Sequence, residues 1–363
     1  MTPPTADFTA LLGRDTLKLA ETTLSGVSPF DSDDLQKLNH RTQRKDYGET
    51  FKTHGYNVCF YNAGHIPGAS GIHIESESGE SLFYTGDLSL QETRLVPGAE
   101  EFPEADTLVL ESTYFGGEDH VPRKETEERF IESIHETLDI GGTALIPAFA
   151  IGRTQEILML LDAYGIRAYV DGMGRDVYKI LKKYPEYLRN PPDLLDRAFE
   201  RATQVKNHLR ESVLGGEPAV IVTTAGMLNG GPVLYYLSRL YNDPGSKILL
   251  TGYQVEGTNG RLALEHRMIE TRGGDILSLK PAIEQYDFSA HCGGDRELKQ
   301  LVKDFCDKGT ERVFVMHGGE KTEAFAEWIS EEIGVEAYAP ANGGDLSSFN
   351  MGKRIFKMFS LLR

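Results

Sequence analysis

The stretch Tyr61–Asp87, YNAGHIPGASGIHIESESGESLFYTGD, decides the fold of this chain. It sets His65 in a glycine-flanked turn, continues with two short apolar runs joined by a turn at Glu77–Glu80, and ends on Asp87. Glycine permits close backbone approach, and histidine and carboxylate side chains bind zinc. The pattern predicts adjacent strand ends that suit a metal site. A single histidine after glycine is also an ordinary turn residue, so this stretch alone leaves both interpretations open.

Composition narrows the class of protein. The 363 residues are 40% hydrophobic, enough for about two domains or one large domain with an insertion. Three scattered cysteines fit neither a disulfide framework nor a metal knuckle, so a reducing cytoplasm is the expected location. The sequence has no apolar run of about 18 residues and no signal-peptide pattern, so no membrane partner is expected.

The formal net charge of -17 argues against a broadly basic nucleic-acid surface. It leaves a nucleic-acid substrate open, because a local basic groove or a bound metal can hold phosphate on an acidic protein. The simplest reading of the charge is a solvated acidic surface.

The hydrophobic periodicity changes at Arg123. Before this residue the sequence predicts a helix over 5–20, short helices over 25–45, strands between 56 and 84, and a buried strand over 106–111. After it, glycine-terminated helices alternate with apolar strands, which indicates a parallel sheet with crossover helices. A helix over 296–307 and further strands follow. The basic and apolar tail 346–363 is predicted either to pack on its own domain or to mediate docking or a dimer contact.

Chemically active side chains recur just after apolar runs. Four of them stand in glycine-flanked or small-residue turns, and Glu111 ends another strand; the four are His65, Asp87, His291 and His317. Side chains contributed from distant parts of a chain to the carboxyl ends of strands form active sites at a sheet edge. The five residues together therefore predict one site.

The ordered phrases resemble the β-CASP branch of the metallo-β-lactamase superfamily. This branch includes the nuclease subunit of the cleavage and polyadenylation specificity factor, ribonuclease J and archaeal relatives; the archaeal cleavage-factor-like group is the nearest subgroup. The phrases are AGHIPGAS and YTGDLS (third and fourth motifs), LESTY (motif A), IPAFAIGRTQE, VTTAGMLNGGP, TGYQVEGTNGR, FSAHCGG (motif B) and VMHGGE (motif C).

The resemblance implies an α/β fold with two parts. One is a metallo-β-lactamase αββα sandwich whose amino-terminal part is missing, and the other is an inserted β-CASP domain with a parallel α/β sheet. The expected boundaries are 1–115 and 288–345 for the metallo-β-lactamase segments, 116–287 for the β-CASP domain and 346–363 for the tail.

The resemblance also implies roles for the five residues. His65 and His317 would each ligate one of two zincs, and Asp87 would bridge them. Glu111 would pair with His291, which would pass a proton to the leaving oxygen. Such a site suits hydrolysis of RNA phosphodiester bonds in RNA processing or decay, because bridged metals activate a shared water and a carboxylate-held histidine donates protons near neutral pH. A histidine in motif C is typical of the RNA-acting members.

Further residues are predicted to hold substrate. Arg153 and Gln155 stand in the phrase GRTQE, where the planar guanidinium could hold a phosphate or could instead pair with Glu156. Gly226 and Gly230 belong to a loop that could offer backbone N–H groups to phosphate, as could the loop before Arg261. Such loops are equally often plain connections.

One family motif is absent. The family's H-x-H-x-D-H supplies four metal ligands, and no two histidines in this chain are separated by one residue. One interpretation is that Met1 is an internal methionine of a longer protein. With this ligand set neither zinc has its usual complement, so weak zinc binding is expected. Gly293 also replaces the aspartate expected after the histidine of motif B, a position that Asp295 could serve instead.

Three hypotheses follow. The first is a zinc-dependent ribonuclease, inactive in this form of the chain. The second is a catalytically dead RNA-binding or scaffolding subunit of an RNA-processing complex. The third is a metallo-hydrolase that acts on small esters or DNA. The sequence does not decide between exonuclease and endonuclease, and it leaves a homodimer open.

Overall fold

A computed structural model describes residues 1–22, 28–117, 119–189, 192–343 and 357–358. The helices are α1 Pro3–Thr22, α2 Ser32–Arg41, α3 Arg123–Asp139, α4 Arg153–Ala163, α5 Gly174–Leu181, α6 Pro192–Arg201, α7 Arg210–Leu214, α8 Val233–Leu240, α9 Asn259–His266, α10 Gly294–Asp307 and α11 Lys321–Trp328. The strands are β1 Thr50–Thr53, β2 Tyr56–Asn62, β3 Ser70–Ser76, β4 Ser81–Tyr84, β5 Thr107–Glu111, β6 Thr143–Pro147, β7 Tyr169–Asp171, β8 Thr203–Gln204, β9 Ala219–Thr223, β10 Lys247–Leu250, β11 Met268–Glu270, β12 Ile276–Ser278, β13 Ala282–Gln285, β14 Arg312–Met316 and β15 Glu336–Tyr338. Short 3₁₀ turns lie at Pro185–Tyr187 and Asn207–Leu209, and a π turn at Ile329–Ile333.

The chain divides into two compact units. Unit 1 comprises 1–92, 97–119 and 290–363, and unit 2 comprises 93–96 and 120–289. The division shows an insertion within a discontinuous unit. It also assigns the four residues 93–96 to unit 2, which the sequence did not predict.

Unit 1 contains a seven-stranded sheet in the order β1-β2-β3-β4-β5-β14-β15. The first three pairings are antiparallel and the last three are parallel. Alternate residues of each strand face opposite sides. Leu108 and Val313 pack against α10 and α11, whereas Val109 and Phe314 join the cluster on the other face. Among the described residues, unit 1 therefore has one sheet of the sandwich rather than two.

The carboxyl-terminal tail falls almost entirely outside the described residues. Within the tail the structure describes only Lys357–Met358. The Met358 side chain is fully buried in the cluster on the second face of the unit 1 sheet. This contact agrees with packing on its own domain at that one residue.

Unit 2 contains a six-stranded sheet in the order β13-β10-β6-β9-β7-β8, with every pairing parallel. Parallel strands that are covered on both faces read as continuous apolar runs, and β9 (AVIVT) is buried at every position. The predicted parallel α/β sheet is confirmed. The hairpin of β11 and β12 was not predicted, because both strands are short and partly exposed.

The segment 93–96 is tied to unit 2 by polar contacts. Arg94 forms a double hydrogen bond with Glu127 at 2.8 and 2.6 Å. The backbone N–H of Arg189 donates to the Leu95 carbonyl, and its side chain donates to the Thr93 carbonyl. These bonds satisfy backbone groups of a segment too short for secondary structure of its own.

Candidate active site

Four strands of the unit 1 sheet end at the same edge. Strands β2, β4, β5 and β14 run in the same direction, so their carboxyl ends lie together. His65 follows β2, Asp87 follows β4, Glu111 ends β5 and His317 follows β14. The sequence-predicted site residues therefore converge, joined by His291 from the loop before α10.

The His65 turn depends on a close backbone approach. Gly64 has φ +71°, and a Cβ at this position would lie 2.2 Å from the Ser89 carbonyl oxygen, so only glycine fits. His65 Nδ1 lies 2.8 Å from the Ala290 carbonyl oxygen. A carbonyl only accepts, so Nδ1 carries the proton and Nε2 keeps its lone pair. Burial and the neighbouring His291 lower the pKa of His65, which keeps the ring neutral.

Asp87 lies between two histidines. One carboxylate oxygen is 3.9 Å from His65 Nε2 and the other is 3.5 Å from His317 Nδ1. The Asp87 side chain remains 43% exposed. A carboxylate oxygen and an imidazole lone pair both carry negative charge density, so the space between Asp87 and His65 suits a cation.

Glu111 is an enclosed carboxylate whose side chain is 2% exposed. It accepts hydrogen bonds from the Leu88 N–H (3.0 Å), the Thr113 N–H (3.1 Å) and hydroxyl (2.5 Å), and His291 Nδ1 (3.0 Å). Burial raises the pKa of Glu111, but the bonds from His291 and Thr113 outweigh it and hold the pKa below its usual range. An ionised carboxylate only accepts, so His291 donates through Nδ1 and presents Nε2 to the site.

His317 takes an unusual backbone conformation, with φ +57°. The next residue, Gly318, lies so close to Ser112 that a Cβ would be 2.2 Å from its hydroxyl oxygen. His317 Nδ1 is 3.1 Å from the Thr113 hydroxyl. The ring stacks on that of His291 with centroids 6.1 Å apart and is 59% exposed. Strained backbone held by its surroundings is frequent at functional sites.

Three side chains of the site lie close enough together that they could hold one metal ion. His65, Asp87 and His291 each offer a ligand atom within 4.8 Å of the other two, the one such cluster in the described part of the chain. His65 also has the outer hydrogen bond that orients metal-binding histidines. The cluster contains His291, expected as the proton donor, whereas the expected ligand His317 stands beside it. No further histidine or carboxylate among the described residues completes this cluster.

Asp295 does not support His291. Its carboxylate accepts from the Gly116 N–H at 2.6 Å and pairs with Lys299 at 2.7 Å. It lies in the first turn of α10, and its partners there occupy both oxygens. Glu111 takes a supporting position at His291 Nδ1, and Asp295 does not, which corrects the alternative raised for motif B.

Arg153 and Gln155 use their donors inside unit 2. Arg153 is buried and donates to Glu156 and to the Phe288 carbonyl oxygen. Gln155 is fully buried and donates to the carbonyls of Ala150 and Gly174. The structure thus differs from the predicted phosphate contact, because burial removes both side chains from solvent. The sequence offered an exposed ion pair between Arg153 and Glu156 as the alternative. The ion pair is present, but it is buried.

The other predicted substrate residues differ in exposure. Gly230 is half-buried, whereas Gly226 is buried against the backbone and ring of Phe149. Arg261 pairs with Glu265 at 2.7 Å and lines a cleft of about 430 Å³. Its position within α9 was not foreseen, because Thr258 caps a helix where the sequence indicated only a loop. The roles of these residues in substrate binding stay predictions.

Two groups in the site were missed from the sequence. The Thr113 hydroxyl links Glu111 to His317, and the Ala290 carbonyl orients His65. Thr113 had a signal, since it follows Glu111 by two residues in the phrase LESTY. A backbone carbonyl has none, because every residue carries one.

Comparisons with known proteins agree with this geometry. The model of the Beta-Casp domain matches residues 154–262, and that of the Zn-dependent metallo-hydrolase RNA specificity domain matches 276–340. RNase aCSPSF2 of Saccharolobus solfataricus is 37% identical, over 95% of this chain and 69% of its own length. Probable RNase MJ4 of Methanocaldococcus jannaschii is 35% identical, over 92% and 78%.

A further relative and a solved structure extend the comparison. Transcription termination factor FttA of Thermococcus kodakarensis is 35% identical over 94% of this chain, which spans 56% of that relative. A crystal structure from Enterococcus faecalis, of a protein of unknown function, superposes with a TM-score of 0.55 at 11% identity, over 94% of this chain and 73% of that one. The latter supports the fold alone. In the described part of the chain no helix is long and apolar enough to cross a membrane. The convergent edge and the similarities together show that the chain belongs to the β-CASP family of the metallo-β-lactamase superfamily.

Proposed function

We propose that this chain is a zinc-dependent ribonuclease of RNA processing or decay by family. The observation that carries the proposal is the convergence of His65, Asp87, Glu111, His291 and His317 at one sheet edge. Two curated relatives that match most of the chain are named as ribonucleases, which supports RNA as the substrate. Unit 1 would be the metallo-β-lactamase part and unit 2 the β-CASP domain, in the cytoplasm.

The roles proposed for the site residues follow from their hydrogen bonds. His65 through Nε2, Asp87 and His317 would hold zinc, which when bound lowers the pKa of a water and polarises a phosphoryl oxygen. Protonated His291 would donate the Nε2 proton to the leaving oxygen as the phosphorus–oxygen bond breaks. Glu111 holds the His291 ring by Nδ1 and stabilises its charged form.

The ligand count limits what this chain does alone. A two-metal site needs three or so protein ligands for each ion, and the chain contains no H-x-H-x-D-H. We infer weak zinc binding and no cleavage by this chain as it stands. The same count favours the second candidate, an RNA-binding or scaffolding subunit without activity.

The test compares this chain with a form extended by a segment that carries H-x-H-x-D-H. Labelled RNA and DNA of one sequence are incubated with each, with zinc supplied, and zinc content is measured by elemental analysis. The extended form should cut RNA, and His317→Ala should abolish the cleavage while His73→Ala has a mild effect. Cleavage of DNA alone would overturn the substrate assignment. Two tightly bound zincs in the unextended chain would overturn the proposed ligand deficit, and an inactive extended form would favour the scaffolding subunit.

A further inference from the structure

The parallel sheet of unit 2 has a topological switch point beside β6. After β6 the chain continues to β7, which lies on the β9 side of β6. Strand β10 lies on the other side of β6, and after β10 the chain continues towards β13 at that edge of the sheet. Loops that leave neighbouring strands in opposite directions open a crevice at the carboxyl ends of those strands. Open α/β sheets bind ligands in such crevices.

Two aromatic side chains stand exposed on these two loops. Phe149 follows β6 and is 42% exposed, and Tyr253 follows β10 and is 56% exposed. Large aromatic side chains contribute most to stability when buried, so two exposed rings on adjacent loops leave apolar surface uncovered. Val255, at 45% exposed, extends this surface along the second loop.

The positions of the rings are fixed by the backbone beneath them. A Cβ at Gly226 or Gly252 would lie 3.4 or 3.5 Å from the Phe149 ring, so the ring packs on glycine backbone. The Phe149 carbonyl accepts from the backbone N–H and the hydroxyl of Thr154. The Gly252 carbonyl, next to Tyr253, accepts from the Gln254 and Gln285 side chains at 3.0 and 2.9 Å. One side of the Phe149 ring is thus supported while part of it stays open to solvent.

A polar cleft is lined by residues that follow β9 and β10, at the same edge of the sheet. The loop 225–231 is joined to the start of α9 by bonds from the Gly260 N–H to the Met227 carbonyl and from the Asn259 N–H to the Asn229 side chain. Asn229, Asn259 and Arg261 line the cleft of about 430 Å³. Amide and guanidinium groups beside stacked rings are the usual surroundings of a bound nucleotide.

The charge of the chain favours stacking over phosphate attraction. A net charge of -17 disfavours binding that depends on the polyanionic backbone. Stacking on an aromatic side chain needs no net charge and tolerates any base.

We propose that Phe149 and Tyr253 form a stacking platform for the nucleobases of single-stranded RNA at the switch point of unit 2. The inference rests on the proposed function, since it takes RNA as the bound polymer. The proposal assigns RNA contacts to Phe149, in the phrase IPAFAIGRTQE, and to Tyr253, in the loop after β10. The buried Arg153 has no such contact in this proposal.

The test titrates this chain into a fluorescein-labelled oligoadenylate and records fluorescence anisotropy at one fixed salt concentration. Phe149→Ala and Tyr253→Ala should each weaken binding by about five- to 150-fold, the loss that corresponds to about 1–3 kcal/mol per stacked base. Tyr253→Phe and Phe149→Trp should keep most of the affinity. Tyr164→Ala is the matched control: its ring is 42% exposed but lies between α4 and β7, at the amino edge of the sheet.

An oligomer of abasic ribose phosphates separates stacking from charge. Wild type and a variant that combines Phe149→Ala with Tyr253→Ala should bind it equally weakly. Unchanged oligoadenylate affinity in both alanine variants would overturn the platform while leaving RNA as the substrate. Failure of the wild-type chain to bind any RNA would count against the platform and the RNA substrate together. A change in oligomeric state with unchanged RNA binding would instead make the surface a protein contact.

Discussion

The carboxyl edges of the two sheets differ in how they use charged side chains. In unit 1, Asp87 and His317 remain 43% and 59% exposed beside an enclosed Glu111. In unit 2, Arg153 and Glu156 are buried against each other behind the loop that follows β6. Both edges end parallel strands, yet one leaves ionisable groups open and the other encloses them.

We interpret this difference as a division of roles, in which the unit 1 edge suits a chemical reaction and the unit 2 edge suits ligand binding. Under the proposed function, the open ligand atoms and orienting hydrogen bonds of the unit 1 edge would serve a metal ion and proton transfer. The unit 2 edge uses its charged groups to position loops and presents aromatic rings and backbone instead. The comparison can be tested by substituting residues at one edge and measuring the property that is assigned to the other edge.

The largest expected effect is on metal binding. Asp87→Asn keeps the shape of the side chain but removes its charge, so zinc affinity should fall by more than about 100-fold. Competition titration against a zinc-sensitive dye measures the change. Glu100→Gln, at an exposed carboxylate of unit 1, is the control and should leave affinity unchanged. Equal affinity for wild type and Asp87→Asn would contradict the site, and loss of zinc in Phe149→Ala would break the comparison between the edges.

The second effect is on the stability of unit 2. Arg153→Met removes one of the two arginine partners of the buried Glu156. Glu156 keeps its ion pair with Arg123 at 2.6 Å, and the free energy of unfolding should fall by about 2–4 kcal/mol. Arg175→Met is the matched control, since its guanidinium also donates to two carbonyls of unit 2. Urea denaturation measures both variants. A stable Arg153→Met protein that binds RNA poorly would instead support the phosphate contact predicted from the sequence.

A smaller effect concerns the support of Glu111. Thr113→Val keeps the side-chain shape but removes the hydroxyl that donates to the buried carboxylate at 2.5 Å. The free energy of unfolding should fall by about 1.5–3 kcal/mol, the range for hydrogen bonds to charged groups. Thr16→Val, at an exposed helical threonine, is the control. An unchanged urea midpoint for Thr113→Val would show that the other donors suffice.

The smallest effect is on the pH dependence of stability without metal. Burial lowers the pKa of His65 and of His73, so between the folded and unfolded values the unfolded chain binds more protons. Stability should therefore fall as pH drops below about 6.5, by up to about 1.4 kcal/mol per pH unit for each histidine. His65→Gln should reduce this slope, whereas His40→Gln, at an exposed position, should not. Urea midpoints in EDTA between pH 7.5 and 5 measure it, and a slope unaltered by His65→Gln would count against the buried neutral ring.

The sequence was informative where chemistry depends on local pattern. Strand ends followed by glycine placed His65, Asp87 and His317 at one edge, because short apolar runs and turns are encoded locally. The pairing of Glu111 with His291, 180 residues apart, came from the family resemblance and is present in the structure. The hydrogen bond supports the predicted pair, and its catalytic role remains a proposal.

The sequence was less informative where burial decides a role. The phrase GRTQE does not indicate whether the Arg153 side chain faces solvent or Phe288. The packing of unit 2 turns it towards the Phe288 carbonyl. The short strands of the hairpin at 268–278 carry too few apolar residues to show a period. The exposure of Phe149 was equally hidden, since an aromatic residue after a strand is usually part of the core.

The tetrapeptide 93–96 has a consequence for experiments on isolated domains. Leu95 and Val96 are buried, and Arg94 pairs with Glu127, so a recombinant fragment cut at 120 and 289 would lack residues that unit 2 needs. We expect such a fragment to be less stable than the same fragment with a short linker that restores 93–96. A fragment that contains the inserted unit of this chain should therefore be chosen from spatial contacts rather than from contiguous sequence.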